Sequence, residues 1–163
     1  VEGHTIELDG LFKSFEGTLN NFSNEHGMAN SRARLRMTTL YQVAAANKGI
    51  VVGTGNKVED FGVGFYTKYG DGGVDISPIA DCNKTEVWEL GKELGILEEI
   101  INAAPTDGLW DDGRTDEGQL GLSYKELEEA MNNENSVNRE KYNSIRNANL
   151  HKMEPIPVCK IPN

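Results

Sequence analysis

Apolar residues recur at every third or fourth position along several stretches of the chain, which is the pattern of helices that bury one face. One of these stretches opens with Asn83 and Glu86, at the spacing of an N-terminal cap, and stops at Gly95. Another opens with Ser123 and Glu126, a second capping box. The predicted helices cover about 8–22, 31–47, 83–95, 97–103, a segment that opens at Ser123, and 134–148.

Two short segments predict β-strands, HTIEL at 4–8 and IVVG at 50–53. Their alternation with helices predicts an α/β fold, with a parallel sheet flanked by helices. Two strands are too few for an independent sheet, so we expect either further strands or residues outside this chain to complete it. No domain boundary is evident, and we treat 1–163 as one domain.

A glycine-rich segment follows the second predicted strand and covers 54–79, which is too long for an ordinary connection. Within it, GFYTKYGDGGVDISP at 64–78 contains the strong turn signals Asp-Gly and Gly-Gly, so a simple hairpin is one interpretation. The other interpretation is a functional loop. It is favoured because Lys68, Asp71 and Asp75 lie close in sequence to Thr54 and Glu59.

The balance of charge limits the classes of function. With 26 acidic and 16 basic side chains the formal net charge is -10, which argues against a nucleic-acid surface. No segment approaches the apolar length of about 20 residues that a membrane span requires, and residues 1–10 do not have the pattern of a signal peptide. We therefore expect a cytoplasmic protein without a membrane or nucleic-acid partner. Cys82 and Cys159 predict neither a disulfide framework nor a zinc site.

Three arginines occupy alternate positions, Arg32, Arg34 and Arg36, near the start of the second predicted helix. Alternate positions point to different sides of a helix, so all three cannot serve one ligand. They are either solvated surface residues or include one that binds phosphate or carboxylate through its planar guanidinium.

The end of the second predicted strand carries a further candidate group. Glycines around Thr54 allow a nucleotide to approach the backbone, the Thr54 hydroxyl can donate to it, and Glu59 offers a hard oxygen ligand for Mg²⁺. Lys84 lies at the start of the third predicted helix, where a lysine opposes the helix dipole and an anionic partner would offset it.

The order of these motifs resembles the NAD synthetases, enzymes that amidate deamido-NAD. The resemblance implies an adenine-nucleotide α-hydrolase-like fold of the Rossmann-like type, a homodimer, and ATP- and Mg²⁺-dependent amidation with ammonia. The nicotinate carboxylate would first be adenylated, and ammonia would then displace AMP. The motifs that carry the resemblance are NSRARLRM at 30–37, VVGTGNKVE at 51–59, GFYTKYGDGGVDISPI at 64–79, Lys84, PT at 105–106, DEGQLGLSY at 116–124 and HK at 151–152.

The same resemblance implies a role for each matching position. It implies an Mg²⁺ ligand at Glu59 and ATP contacts at three positions, of which Lys84 is also taken as catalytic. It implies deamido-NAD contacts at five others, although the His-Lys pair would by composition alone be ordinary surface residues. The ATP positions are Thr54, Lys84 and Thr106, and the deamido-NAD positions are Arg34, Lys68, Asp75, His151 and Lys152.

One family motif is missing from the chain. The phosphate-binding SGGxDS loop near the start of the family's domain does not occur in these 163 residues. The chain therefore resembles the C-terminal portion of a NAD synthetase and is expected to need the N-terminal portion for activity. The alternative is a non-catalytic remnant, or a module for dimerisation or dinucleotide binding. We also expect the segment 62–73 to be mobile without ligand and to close over substrate.

Overall fold

A computed structural model describes residues 3–162. The elements that position the site are mostly helices, joined by short turns and by three longer connections at 47–57, 64–83 and 102–115. The α-helices are α1 (Asp9–Thr18), α2 (Glu25–Ala46), α3 (Lys84–Glu93), α4 (Glu98–Ile101), α5 (Asp116–Leu120), α6 (Tyr124–Asn132) and α7 (Arg139–Met153), accompanied by a 3₁₀-helix at Asn20–Phe22 and a π-helix at Val58–Val63.

The predicted parallel sheet was wrong. Across 3–162 the structure contains no β-strand, and the only pairing of extended backbone is one parallel bridge between Val52 and Ile76. The Gly53 amide donates to the Ile76 carbonyl at 2.7 Å, and the Asp75 amide donates to the Val51 carbonyl at 2.9 Å. Strands are defined by repeated pairing with a neighbour, and these residues have none beyond that bridge. Residues 3–8 likewise lead into α1 without forming the predicted strand.

The helix predictions were right in type and less accurate at the ends. α2 starts six residues earlier than predicted, because the Asn24 side chain accepts a hydrogen bond from the Gly27 amide at 2.7 Å and caps the helix there. α3 and α6 open with the predicted capping boxes. α7 is displaced towards the C-terminus and ends at Met153, so His151 and Lys152 lie in its last turn rather than in a tail.

The predicted loop at 54–79 contains the π-helix. Asn56 is buried, and its Oδ1 accepts hydrogen bonds from the amides of Val58 and Glu59 at 3.0 and 3.2 Å, which starts the helix. Gly64 ends it with a φ of 66°, in the left-handed region that favours glycine. A Cβ at Gly64 would lie 2.7 Å from the Asn149 side chain, so a larger residue would also clash with α7.

The core lies where the π-helix packs against α5, α6 and α7. Trp88 of α3 adds an edge-to-face contact with Tyr124, with ring centroids 6.0 Å apart. α3 was predicted to bury an apolar face, yet none of its residues is fully buried and Leu94 next to it is 76% exposed. The core cluster consists of Val58, Val63, Leu120, Leu122, Tyr124, Leu127, Ala130 and Tyr142.

Apolar side chains remain exposed on several other parts of the surface, among them the following two. Leu11, Phe22 and Leu40 are exposed on the first two helices and the turn between them. Ile50, Val52 and Ile76 are exposed beside the parallel bridge. Within 3–162, no helix is long and apolar enough to cross a membrane.

Candidate active site

A cavity of about 480 Å³ opens between α2, the end of the extended segment at 51–55, the π-helix and the connection at 105–109. The four residues that the family resemblance assigned to ATP or Mg²⁺ all line it, although they come from separate stretches of the chain. The local structure explains how they meet, because the π-helix carries one of them inward and α3 begins at another. These four residues are Thr54, Glu59, Lys84 and Thr106.

An ion pair joins two of these four residues. The Lys84 Nζ lies 3.1 Å from the Glu59 Oε1, and the two side chains are only 19% and 14% exposed. Such shielding makes the attraction stronger than in an exposed pair, while desolvation opposes it. The pair leaves Lys84 at the cavity wall, where its charge can face an anion.

Tyr124 contacts both members of this ion pair and was not predicted as a site residue. It is fully buried, and its hydroxyl lies 2.5 Å from the Glu59 Oε1 and 3.2 Å from the Asp116 Oδ2. A phenol has one proton, so Tyr124 donates to one of these carboxylates at a time. Burial, followed by the charge of Glu59, raises the pKa of Tyr124 and keeps it a donor. The Lys84 Nζ also lies 4.9 Å from the centre of its ring.

Carboxyl groups crowd the same end of the cavity. Burial raises the pKa of Asp60 to about 6, with further contributions from the charges of Glu59 and Asp71. Burial also raises the pKa of Asp116, whose Oδ1 is buried and has no hydrogen-bond partner among residues 3–162. The sequence analysis missed Asp60 and Asp116. Their positions directly after Glu59 and inside the DEGQLG motif were the available signals.

The donors at this end suit Mg²⁺ in charge and chemistry. Glu59 and the unpartnered oxygen of Asp116 are hard ligands, and burial raises the pKa of Asp116 because it disfavours the charged carboxylate. No group of three or more His, Cys, Asp or Glu residues within 3–162 is arranged to hold a metal ion. The residues therefore fit a magnesium ion that takes its other ligands from water and phosphate oxygens, as Mg²⁺ commonly does.

Replacement of Asp60 by asparagine is expected to raise thermal stability at pH 8. A folded-state pKa of about 6 lies above the ordinary value of 3.8, so the charged carboxylate destabilises the fold once the pH rises above that window. We expect the variant to gain on the order of 1 kcal/mol at pH 8, or about 2–4 °C in Tm, after allowance for solvent screening. The gain should shrink as the pH falls through 6 towards 4.

Thermal melts of both proteins in EDTA from pH 4 to pH 8 measure this difference without any contribution from metal. Asp111, an exposed aspartate outside this carboxyl cluster, provides the matched Asp→Asn control. A gain that stays constant over this pH range would contradict the assignment to Asp60 ionisation.

A second group of predicted residues meets beside the cavity. The Arg34 Nε donates to the Lys68 carbonyl at 3.3 Å, and the Lys68 Nζ donates to the His151 carbonyl at 2.7 Å. The Lys152 Nζ donates to the carbonyls of Gly64 and Tyr66 at 2.9 and 2.8 Å. The structure thus gathers four predicted residues from α2, the glycine-rich segment and α7.

Lys152 also lines a smaller cavity of about 110 Å³. Residues such as Asp71 and Asp107 line both this cavity and the larger one, so the two adjoin. Burial lowers the pKa of Lys152, opposed by the Asp71 carboxylate. Burial raises the pKa of Asp71, whose Oδ1 accepts from the Thr67 amide at 2.9 Å.

Asp75 is the one predicted residue that lies in neither group. Its Oδ2 accepts a hydrogen bond from the Val51 amide at 2.8 Å, and its Oδ1 accepts one from the Tyr41 hydroxyl at 3.3 Å. These bonds join α2 to the two extended segments. They show a structural connection for Asp75, at the outer side of the parallel bridge.

The three arginines of α2 all donate to backbone carbonyls, while Arg34 and Arg36 are also exposed to solvent. Arg32 donates to the Leu109 carbonyl, and Arg34 donates to that of Lys68. The Arg36 Nη2 donates to the Gly108 carbonyl at 2.8 Å, and Arg36 also lines the larger cavity. The arginines serve different partners, as their alternate spacing predicted.

The cavity wall combines lysine, arginine and hydroxyl donors with carboxylates, which suits a phosphate-bearing ligand that is accompanied by a cation. A family model described as NAD synthase matches residues 1–160. An NH(3)-dependent NAD(+) synthetase of Carboxydothermus hydrogenoformans is 45% identical over 127 residues, covering 76% of this chain and 51% of that protein. One of Methanosarcina acetivorans is 38% identical over 176 residues, covering 96% of this chain and 68% of that protein.

Two solved structures are also similar. The NMN synthetase of Francisella tularensis superposes with a TM-score of 0.89 at 33% identity, covering 99% of this chain and 68% of that one. An NH3-dependent NAD synthetase of Campylobacter jejuni has a TM-score of 0.71 at 23% identity, a likeness of fold alone.

The chain belongs to the NAD synthase family. It spans between about half and two thirds of the length of the curated relatives described above.

Proposed function

We propose that the protein takes part in ATP- and Mg²⁺-dependent amidation of deamido-NAD to NAD, with ammonia as the nitrogen donor. The observation that carries the proposal is the convergence of Thr54, Glu59, Lys84 and Thr106 on one cavity of about 480 Å³. The family's relatives that are named NH(3)-dependent NAD(+) synthetases support the choice of reaction.

Each of the four cavity residues has a distinct proposed role. Lys84 places a positive charge against the phosphates of ATP, and we propose it as the catalytic residue because it can also stabilise charge that develops at the transferred phosphorus. Thr54 and Thr106 donate hydroxyl hydrogen bonds to ATP. Glu59 holds Mg²⁺, which supplies charge neutralisation of the phosphates when it is bound.

The second group is proposed to bind deamido-NAD. Four residues come together beside the cavity, namely Arg34, Lys68, His151 and Lys152. The arginine and the two lysines add positive charge to that side. Asp75 is proposed to act with them through its connection to the extended segment, which leads directly to Thr54. This arrangement would place the nicotinate carboxylate near the α-phosphate of ATP.

The proposed reaction has two steps. A nicotinate carboxylate oxygen bonds to the α-phosphorus of ATP while the bond to the bridging oxygen breaks, which gives an acyl adenylate and pyrophosphate. Ammonia then bonds to the acyl carbon, the bond to the phosphate oxygen breaks, and AMP leaves while the surplus proton passes to solvent. The chain's contribution is to orient the reactants and to stabilise phosphate charge.

Activity is proposed to require the phosphate-binding SGGxDS loop that the family carries and these 163 residues do not. The alternative is a non-catalytic or dinucleotide-binding module. We also propose a homodimer, to which the exposed Leu11, Phe22 and Leu40 would contribute. Light scattering on the purified protein tests that assembly. The cytoplasmic location stays a prediction.

A second candidate function is amidation of nicotinate mononucleotide to NMN. It is favoured by the similarity to the NMN synthetase of Francisella tularensis, which extends over 99% of this chain at 33% identity. Both reactions amidate the same nicotinate carboxylate and use the same ATP chemistry. They differ in whether the adenylate half of the dinucleotide must be bound.

One experiment tests both candidates. The 163-residue chain is incubated with ATP, Mg²⁺ and ammonium, together with either deamido-NAD or nicotinate mononucleotide, alone and with the N-terminal portion of a relative added. Chromatography then quantifies NAD, NMN, AMP and pyrophosphate. NAD formation that depends on the added portion supports the main proposal, and preferential NMN formation supports the second. Nucleotide binding without AMP release from either acid, in the presence of the added portion, would favour the non-catalytic module.

A further inference from the structure

Arg32 and Arg36 lie one turn apart on α2 and both reach the backbone of the connection that follows α4. Arg32 donates to the Leu109 carbonyl. The Arg36 Nη2 and Nη1 donate to the carbonyls of Gly108 and Asp107 at 2.8 and 3.4 Å. Side chains four positions apart share one face of a helix, so the two guanidiniums together hold three consecutive carbonyls.

Gly108 connects Arg36 to Thr106 through its two backbone groups. The Gly108 amide donates to the Thr106 Oγ1 at 3.0 Å, while its carbonyl accepts from Arg36. Gly108 has a φ of 60°, in the left-handed region that favours glycine.

A hydroxyl that accepts this amide bond must direct its own proton elsewhere. Thr106 lines the larger cavity, so its O–H is available as a donor to a ligand there. Asp107 braces the same turn, because its Oδ1 accepts from the Leu109 amide at 2.9 Å and its Oδ2 accepts from the Gln119 amide group at 3.1 Å. Arg32 and Arg36 both link this turn to α2, and of the two it is Arg36 that holds the Gly108 carbonyl.

We infer that Arg36 is a positioning residue that acts through Gly108 to fix the Thr106 hydroxyl as a donor to an ATP phosphate. The inference rests on the proposed function, in which Thr106 contacts ATP. Loss of Arg36 would free the turn and let the hydroxyl rotate away, which weakens nucleotide binding without removing a group that reacts.

Arg36 also lines the cavity, so the competing explanation is that its guanidinium binds a phosphate directly. The two explanations differ in what a lysine can replace. A lysine retains the positive charge for a direct phosphate contact, but it lacks the planar fork that spans two carbonyls. They also differ in coupling, because residues that act through one another show non-additive effects.

The test measures KM for ATP and kcat of the 163-residue chain, together with the N-terminal portion of a relative, in Arg36→Met, Arg36→Lys, Thr106→Val and the double variant Arg36→Met/Thr106→Val. Hydrogen exchange of the 107–109 segment is followed in parallel, without nucleotide, as a readout of the turn that does not depend on activity. Arg32→Met is the matched control, because it removes the neighbouring guanidinium while it leaves the Gly108 carbonyl bonded to Arg36.

We expect Arg36→Met and Thr106→Val each to raise KM for ATP about tenfold, with kcat within about threefold, and the double variant to resemble the single ones. Arg36→Lys should not rescue binding. Exchange at Gly108 should accelerate in Arg36→Met and much less in Arg32→Met.

Three outcomes would overturn the inference. A double variant with about a hundredfold rise in KM, or rescue by lysine, would assign Arg36 to direct phosphate binding. Unchanged exchange at Gly108 in Arg36→Met would remove the positioning role whatever the activity shows.

Accelerated exchange in a protein that binds no ATP would leave the role in the turn intact and would instead refute the proposed function.

Discussion

Replacement of Glu59 by alanine is expected to abolish metal-dependent amidation, with a loss of at least about a thousandfold in kcat/KM. The carboxylate is the proposed Mg²⁺ ligand and the ion-pair partner of Lys84. The same change leaves the buried Tyr124 hydroxyl without its closest acceptor, which costs about 1–3 kcal/mol of stability. Activity and thermal melts should therefore both change.

The isosteric variant Glu59→Gln separates these two effects. Its amide oxygen can still accept from Tyr124, so the melting temperature should recover, whereas the lost charge should leave activity low. Steady-state kinetics across a Mg²⁺ titration provide the measurement. Activity within about threefold of the parent at saturating Mg²⁺ in Glu59→Gln would contradict the proposed role of the charge.

Replacement of Lys84 by methionine is expected to lower kcat about 100- to 1,000-fold, the range found when one preorganised donor to developing charge is removed. Its ammonium group is held between Glu59 and the ring of Tyr124, at the wall of the cavity. Methionine retains the apolar stem, so the packing around Tyr124 should persist and the loss should fall on the chemical step. Pre-steady-state measurement of pyrophosphate release isolates that step.

Lys57 offers a matched control for this lysine. It directly precedes the π-helix and pairs with Asp81, whose side chain is 98% exposed. Neither Lys57 nor Asp81 lines the cavity. Lys57→Met should therefore remain within about twofold of the parent in kcat, because this lysine lies outside the cavity and exposed ion pairs contribute little to stability. Equal losses in the two variants would show that general charge, rather than the position of Lys84, affects the rate.

The helices of this fold were predictable because their signals are local. The capping boxes at Asn83 and Ser123 fixed where α3 and α6 begin. The start of α2 was missed because the cap at Asn24 precedes a polar stretch without apolar periodicity. The π-helix was missed because its turn depends on the Asn56 side chain and on packing against α6 and α7, which no periodicity in the sequence reveals.

The sheet prediction failed for a different physical reason. An apolar run such as IVVG indicates a buried extended segment, but strand structure needs partners that only tertiary contacts supply. Here the segment meets a second one at a single bridge. The predicted burial of one face of α3 failed similarly, because periodic leucines predict an apolar face but not whether another element covers it.

Part of the candidate site was predictable from residue chemistry. Cations, a carboxylate and a hydroxyl near glycines indicated a phosphate site that includes Thr54, Glu59 and Lys84, whereas Thr106 came from the family resemblance alone. The structure places all four residues around one cavity. Tyr124 could not be predicted, because a tyrosine in a helix suggests core packing and its role depends on one hydroxyl contact. Arg36 escaped for the same reason, since its partners are backbone carbonyls 71 and 72 positions away.

The parallel bridge between Val52 and Ile76 has a practical consequence for handling the protein in concentrated solution. Ile50, Val52 and Ile76 are 59%, 52% and 45% exposed, and within residues 3–162 the extended backbone beside them pairs with another segment at one bridge alone. Such an edge can template pairing between molecules, so turbidity should rise with concentration and should be reduced by a lysine at position 52. Turbidity should therefore be monitored while the protein is concentrated for crystallography.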